Sequence, residues 1–107
     1  MDVIKDVYDT ILERKGEQQE GSYTCYLFEK GIDKILKKCG EECTEMVIAA
    51  KNNNKEETVL EISDLIFHTL VMMVNQGIQI EDVSAELEKR SNKTGNLKNF
   101  HQVDKNS

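Results

Sequence analysis

Two pairs of acidic residues have the spacing of metal ligands on helices. Glu42 and Glu45 are three residues apart, and so are Glu61 and Asp64. Residues three apart lie on the same face of an α-helix, so each pair presents two carboxylates in one direction. Carboxylates are rarely buried unless they are paired or bind a metal ion. The two pairs together predict a shared cation, and a set of oxygen ligands favours Mg²⁺, with Mn²⁺ as the alternative.

The second pair lies within a segment that is otherwise almost entirely apolar. Its polar side chains are spaced three or four residues apart, so they form a narrow stripe along one side of the helix. The stripe begins just before residue 59 and consists of Glu57, Glu61, Asp64 and His68. A helix with apolar residues on every side is expected to be buried all round. The glutamates at positions 41, 42 and 45 would by themselves fit a solvated helix face, because glutamate is a good helix former and is usually exposed. The two segments together therefore favour the shared metal site.

Basic and aromatic residues near these pairs leave more than one role open. Lys34, Lys37 and Lys38 either contact phosphate groups or balance the glutamates through pairs four residues apart on the helix. His68 lies one turn after Asp64 and is a core residue, a support for the metal ligands or a substrate contact. We interpret Tyr23 and Tyr26 as packing residues rather than as residues that stack on a base.

Helical periodicity and capping residues predict an all-α fold of four to five helices. Asp2, Ser22 and Asn54 are typical N-cap residues. Gly31 predicts a break between two helices, and Gly77 is typical of the position after a helix end. The predicted helices cover residues 3–12, 23–30, 32–51, 55–76 and 80–90.

The composition indicates one acidic domain. The chain has 107 residues and a formal net charge of −6, which argues against binding to nucleic acid polymers because they need a positive surface. No apolar stretch reaches the roughly 20 residues of a membrane span, so we predict a cytoplasmic protein without a membrane partner. The odd number of cysteines argues against a disulfide framework, and we interpret Cys39 and Cys43 as packing residues rather than zinc ligands. We predict a domain over residues 1–91 and a mobile or weakly docked tail over residues 92–107.

Three further segments are more distinctive than the acidic pairs. They are Gly-Ser-Tyr-Thr at 21–24, Lys-Gly-Ile-Asp-Lys-Ile at 30–35 and Glu-Ile-Ser-Asp-Leu-Ile-Phe-His at 61–68. With the glutamates of residues 41–45, these segments resemble the phosphoribosyl-ATP pyrophosphatases, which catalyse the second step of histidine biosynthesis. The resemblance covers about residues 3–90 and suggests the stand-alone form of the enzyme. One departure is Gln-Gln-Glu at 18–20, where this family often has proline, and it concerns the rigidity of that loop rather than the chemistry.

The resemblance implies a helical bundle, completed by homodimerisation, that hydrolyses phosphoribosyl-ATP to phosphoribosyl-AMP and pyrophosphate. The residues that it assigns to Mg²⁺ are Glu42, Glu45, Glu61 and Asp64. Glu41 completes the predicted catalytic set, since it can orient the attacking water or support the metal ligands. Lys34 and Lys38 are expected to meet phosphate oxygens, and His68 is predicted to contact the substrate. Dimerisation also fits the sequence, because short helices leave a thin core and the helix over 59–74 needs cover on all sides.

Three other functions are compatible with parts of this pattern. The acidic pairs also resemble those of the wider superfamily of all-α nucleoside triphosphate pyrophosphohydrolases. A house-cleaning nucleoside triphosphate pyrophosphohydrolase of that superfamily is therefore an alternative, and substrate preference would distinguish the two enzymes. A di-iron carboxylate bundle is disfavoured, because such sites usually have Glu-x-x-His on two helices. A non-enzymatic dimerising helical module would show no metal dependence and would tolerate Glu61→Gln.

Overall fold

The computed structural model describes residues 2–92, which form five α-helices and no strand. The helices are α1 (Val3–Arg14), α2 (Tyr23–Lys30), α3 (Ile32–Lys51), α4 (Lys55–Gln76) and α5 (Ile80–Ser91). The predicted all-α fold is confirmed. Most of the predicted tail, residues 93–107, lies outside the described residues.

Local capping explains where several helices begin and end. The side chains of Asp2, Ser22 and Asn54 accept hydrogen bonds from backbone N–H groups three residues later, at 3.1 Å in each case. These bonds satisfy donors that the first turn of a helix leaves unpaired. Gly31 has φ 93° and separates α2 from α3, and Gly77 ends α4 in the left-handed conformation that glycine adopts without steric cost. The predicted break and the predicted helix end are therefore confirmed.

The core lies between α1, α2, the start of α3 and the second half of α4. Its buried residues are Tyr8, Ile11, Leu27, Ile35, Leu70, Val71, Met73 and Val74. The Tyr8 hydroxyl donates to the backbone oxygen of Ile78 at 2.8 Å, which fixes α1 against the segment that follows α4. No described helix is long and apolar enough to cross a membrane.

The first half of α4 and the facing length of α3 form a long helical hairpin, because only residues 52–54 separate the two helices. This hairpin leaves large apolar side chains in contact with solvent. We call them the hairpin apolar surface: Leu36, Val47, Ile48, Val59, Leu60, Ile62 and Ile66. Helix α4 is thus buried in its second half and exposed in its first half, although the sequence predicts burial all round.

Candidate metal centre

The α3–α4 hairpin brings three of the four predicted metal ligands together. Glu42 and Glu45 lie one turn apart on α3, and Glu61 projects from α4. One carboxylate oxygen from each lies within 4.8 Å of the other two. Three convergent carboxylates are the kind of oxygen ligand set that Mg²⁺ and Mn²⁺ take in proteins.

Two oxygens of this cluster lie out of contact with solvent and without a partner. Glu42 is only 7% exposed. Within the described residues, Glu42 Oε2 and Glu61 Oε2 have no hydrogen-bond donor. Burying a carboxylate oxygen without a partner is costly, and a cation bound between the side chains would satisfy both oxygens. The donor set therefore fits a divalent cation.

The electrostatics of the cluster show how close the carboxylates are. The oxygens of Glu42 and Glu45 would accept a hydrogen bond from protonated Glu61, and this, together with burial and the charges of both neighbours, raises the pKa of Glu61 from its ordinary 4.5 to about 7. A proton shared between carboxylates relieves their mutual repulsion, as a bound cation also would. Protons and a divalent cation therefore compete for this cluster.

Asp64, the fourth predicted ligand, does not join the three glutamates. It lies one turn after Glu61 on α4, but its side chain is one methylene shorter than that of glutamate and it is exposed. Its backbone oxygen accepts a hydrogen bond from His68 Nδ1 at 2.7 Å. Its role as a metal ligand stays a prediction.

The predicted lysines and Glu41 lie beside the cluster on α3. Lys38 Nζ is 3.7 Å from one oxygen of Glu41 and 3.7 Å from one oxygen of Glu42. Burial alone would lower the pKa of Lys38, but Tyr23 and the two glutamates raise it, so the ammonium stays charged. Lys34, one turn earlier, is half-buried and forms no ion pair within residues 2–92. Its contact with a substrate stays a prediction.

His68 has a different environment from that expected of an open substrate contact. It is 5% exposed, and both ring nitrogens already have partners. Nδ1 bonds to the Asp64 backbone oxygen, and Nε2 lies 2.8 Å from the hydroxyl of Tyr23 on α2. The predicted contact between His68 and substrate stays a prediction. Tyr23 is a neighbour of the site that the sequence did not reveal, because 45 residues separate it from His68.

Open space borders the cluster on two sides. A cavity of about 310 Å³ is lined in part by Glu45, Glu57 and Glu61. A second, more open cleft of about 530 Å³ runs past Gly40 and Glu41. A Cβ added at Gly40 would meet no atom within 4 Å, so the backbone there is freely approached. In the single chain the acidic cluster therefore lies next to open space.

Comparison with known proteins identifies the family. The model of the family described as phosphoribosyl-ATP pyrophosphohydrolase matches residues 4–91. The chain is 54% identical to the phosphoribosyl-ATP pyrophosphatase of Clostridium novyi over 98 residues, which cover 92% of this chain and 89% of the relative. It is 48% identical to the enzyme of the same name from Listeria welshimeri, over 95% of this chain and 98% of the relative. It is also 57% identical to a histidine biosynthesis bifunctional protein of Thermoanaerobacter pseudethanolicus, over 78% of this chain and 39% of that longer protein. The three convergent glutamates and these matches together show that the chain belongs to the phosphoribosyl-ATP pyrophosphohydrolase family.

Proposed function

We propose that this chain hydrolyses phosphoribosyl-ATP to phosphoribosyl-AMP and pyrophosphate, the second step of histidine biosynthesis, with Mg²⁺ as its cofactor. The observation that carries the proposal is the convergence of Glu42, Glu45 and Glu61, two of which hold a buried oxygen without a partner. Family membership supports the substrate, because the relatives are named for phosphoribosyl-ATP. The acidic cluster supports the cofactor, because a triphosphate cannot approach three carboxylates unless a cation screens them.

The roles of the residues follow from their positions. Glu42, Glu45 and Glu61 would hold the metal ion, with Asp64 as the proposed fourth ligand. Bound there, Mg²⁺ would supply charge neutralisation at the triphosphate and a water molecule of lowered pKa. Lys38, beside Glu42, would hold phosphate oxygens as a point charge, and so would Lys34 one turn earlier. Glu41 is the remaining acidic residue of the predicted catalytic set, and we propose that it orients the attacking water.

The proposal is tested by pyrophosphate release. Purified protein with Mg²⁺ should release pyrophosphate from phosphoribosyl-ATP with a higher kcat/KM than from ATP, dCTP or dUTP, and a chelator should abolish the release. Glu61→Gln should be inactive, whereas Glu56→Gln removes an exposed charge from the first turn of the same helix and should leave turnover unchanged. Preference for dCTP or dUTP would favour the house-cleaning hydrolase. No turnover of any of these nucleotides would favour the non-enzymatic helical module.

We also propose that a second copy of the chain covers the hairpin apolar surface. Seven large apolar side chains in contact with solvent on one hairpin exceed what isolated surface residues explain. They include Ile48, which lines the cavity beside Glu45 and Glu61, so a partner there would also exclude water from the cluster. The experiment is sedimentation at micromolar concentration, which should show a dimer. The predictions of a cytoplasmic location and of no nucleic acid or membrane partner stay predictions.

A further inference from the structure

We propose that the exposed ring faces of Tyr23 and Tyr26 form the binding site for the purine base of the ligand. The inference rests on the proposed function, because a nucleotide brings a base to these rings when its phosphates lie at the metal centre. The two tyrosines belong to α2, and they form an aromatic cluster with Phe67 of α4. We call these three rings the aromatic platform.

The polar stripe of α4 places the platform on the same side of that helix as the metal centre. Glu61 and His68 are two helical turns apart, so their side chains leave α4 in nearly the same direction. Two turns correspond to about 10 Å along the helix axis. The Tyr23 hydroxyl lies 2.8 Å from His68 Nε2, so the platform begins where the stripe ends. The base of a nucleotide is separated from its phosphates by a distance of the same order.

The tyrosine faces are in contact with solvent, although the sequence favours a packing role for both residues. Tyr23 is 45% exposed and Tyr26 is 39% exposed. The centroid of the Tyr23 ring is 6.1 Å from that of Tyr26 and 6.2 Å from that of Phe67, and the planes are inclined by only 23° and 26°. Carbon atoms in optimal contact are about 3.5–4 Å apart, so rings at these centroid distances are strongly offset. Much of each tyrosine face is therefore not covered by its neighbour.

A hydrogen bond and ring contacts fix the orientation of Tyr23. The buried His68 ring meets it edge-on at 5.6 Å. His68 Nδ1 lies 2.7 Å from the Asp64 backbone oxygen, which can only accept, so Nδ1 carries the hydrogen of the neutral imidazole. The Tyr23 hydroxyl therefore donates to Nε2. A ring held in this way loses little conformational entropy when a ligand binds. His68 thus has an indirect role in the site, through Tyr23.

The charge beside the platform favours a nucleotide over a second protein chain. Lys30 Nζ lies 5.8 Å from the centroid of the Tyr26 ring, so this ring meets a solvated ammonium group rather than an apolar neighbour. A protein partner that covered Tyr26 would also remove water from this charge, which is costly. A nucleotide brings anionic phosphate groups to the same surface, and its flat base can stack on an aromatic ring whatever the identity of the base.

Binding of ligands with and without a base tests the proposal. Calorimetry with Mg²⁺ measures the dissociation constants of α,β-methylene-ATP, whose α–β bridge resists hydrolysis, and of inorganic tripolyphosphate, which has no base. Tyr23→Leu and Tyr26→Leu keep an apolar side chain and remove the aromatic face. Each should weaken binding of α,β-methylene-ATP at least about fivefold, since the stacking of one base on an aromatic ring changes affinity by about five- to a hundredfold. The dissociation constant of tripolyphosphate should not change.

Two controls separate stacking from folding. Tyr23→Phe and Tyr26→Phe keep the aromatic face, so each should bind α,β-methylene-ATP more tightly than the leucine variant at the same position. Leu87→Ala removes an exposed apolar side chain from α5 and should bind both ligands as the wild-type chain does. Urea unfolding of each variant shows whether the protein is folded under the assay conditions.

The outcomes distinguish this proposal from the proposed function. Leucine variants that bind α,β-methylene-ATP like the wild-type chain, or that lose affinity for both ligands equally, would overturn the base site. Wild-type nucleotide affinity together with a raised dissociation constant of the dimer would assign the rings to an interface between copies, and would also overturn it. A loss confined to the nucleotide, in a chain that does not hydrolyse phosphoribosyl-ATP, would sustain the base site and contradict the proposed function alone.

Discussion

Leu60→Ala should weaken self-association of the chain without unfolding it. Leu60 lies beside Glu61 on α4, and 57% of its surface is exposed in the single chain. Full burial of a leucine side chain stabilises by about 1.5–3 kcal/mol, so covering this exposed fraction contributes about 0.9–1.7 kcal/mol. A two-fold symmetric interface contains the residue twice. The substitution should therefore cost association about 1.7–3.4 kcal/mol, which raises the dissociation constant of the dimer about 20- to 300-fold.

Sedimentation equilibrium over a range of protein concentrations measures this constant. Leu87→Ala is the matched control, because Leu87 is 60% exposed on α5, where no residue is buried. It should leave the constant unchanged. Both substitutions remove exposed side chains, so urea unfolding of the separated chains should change by less than about 0.5 kcal/mol. An unchanged dimer constant for Leu60→Ala, or an equal effect of Leu87→Ala, would refute the placement of the interface on the hairpin apolar surface.

Three further predictions concern the site. Glu42→Gln, Glu45→Gln, Glu61→Gln and Asp64→Asn should each lower pyrophosphate release at least about a hundredfold, since changing even an indirect support of a metal ligand costs about 10- to 100-fold; near-normal turnover in two of them at saturating Mg²⁺ would contradict the ligand assignment. Lys34→Met with Lys38→Met should lower kcat/KM by about ten- to a hundredfold or more, beyond either single change and without rescue by Mg²⁺; an unchanged value would place both lysines on a solvated face. The pKa of Glu61 is about 7 in the folded chain and 4.5 ordinarily, so between these pH values the folded chain keeps a proton that the unfolded chain has lost. The stability of the metal-free protein should therefore fall as pH rises through that window. In urea unfolding with chelator, Glu61→Gln should therefore be more stable than wild type above pH 7, and this advantage should shrink toward pH 5; an advantage that does not depend on pH would contradict the reasoning.

The helices were predictable because their limits are set by local signals. The capping side chains of Asp2, Ser22 and Asn54 bond within their own first turn, and the glycines at 31 and 77 have positive φ. Each of these features depends only on residues within a few positions along the chain. For the same reason the bounds of α2 and α3 match the prediction residue by residue, while α1 extends two residues beyond it to Arg14.

The meeting of acidic residues from α3 and α4 was predictable, but the choice of the oxygens that lie close together was not. The spacing shows that two carboxylate pairs face one way on adjoining helices, and the short turn at 52–54 makes the helices meet. Which oxygens converge depends on the rotation and sliding of α3 against α4, which no local pattern determines. Here Glu42, Glu45 and Glu61 converge, and Asp64 with its shorter side chain does not.

Contacts distant along the chain were not predictable. The bond between Tyr23 and His68 joins α2 to α4 across 45 residues, and each residue taken alone fits a core position. On α3 the buried positions are Ile35, Glu42 and Ala49, which are seven residues apart, and an acidic residue therefore takes a position that an apolar one would be expected to fill. The packing of α4 determines which side of α3 is buried, and the residue pattern of α3 alone does not predict that side.

Metal binding and self-association should be coupled, because both act on Glu61. A second copy covering the hairpin apolar surface, including Ile48 beside Glu45 and Glu61, would remove water from around the carboxylates, and desolvation of charges without a counter-ion is costly. A cation in the cluster removes most of that cost, so Mg²⁺ should favour the dimer. By thermodynamic linkage, the dimer should bind Mg²⁺ more tightly by the same factor. At pH 8, where Glu61 has lost its proton, the dimer constant measured with Mg²⁺ should be lower than the constant measured with chelator. In Glu61→Gln, whose neutral amide costs less to bury, this difference should shrink. Equal dimer constants for the wild-type chain in both conditions would show that the interface and the acidic cluster are independent.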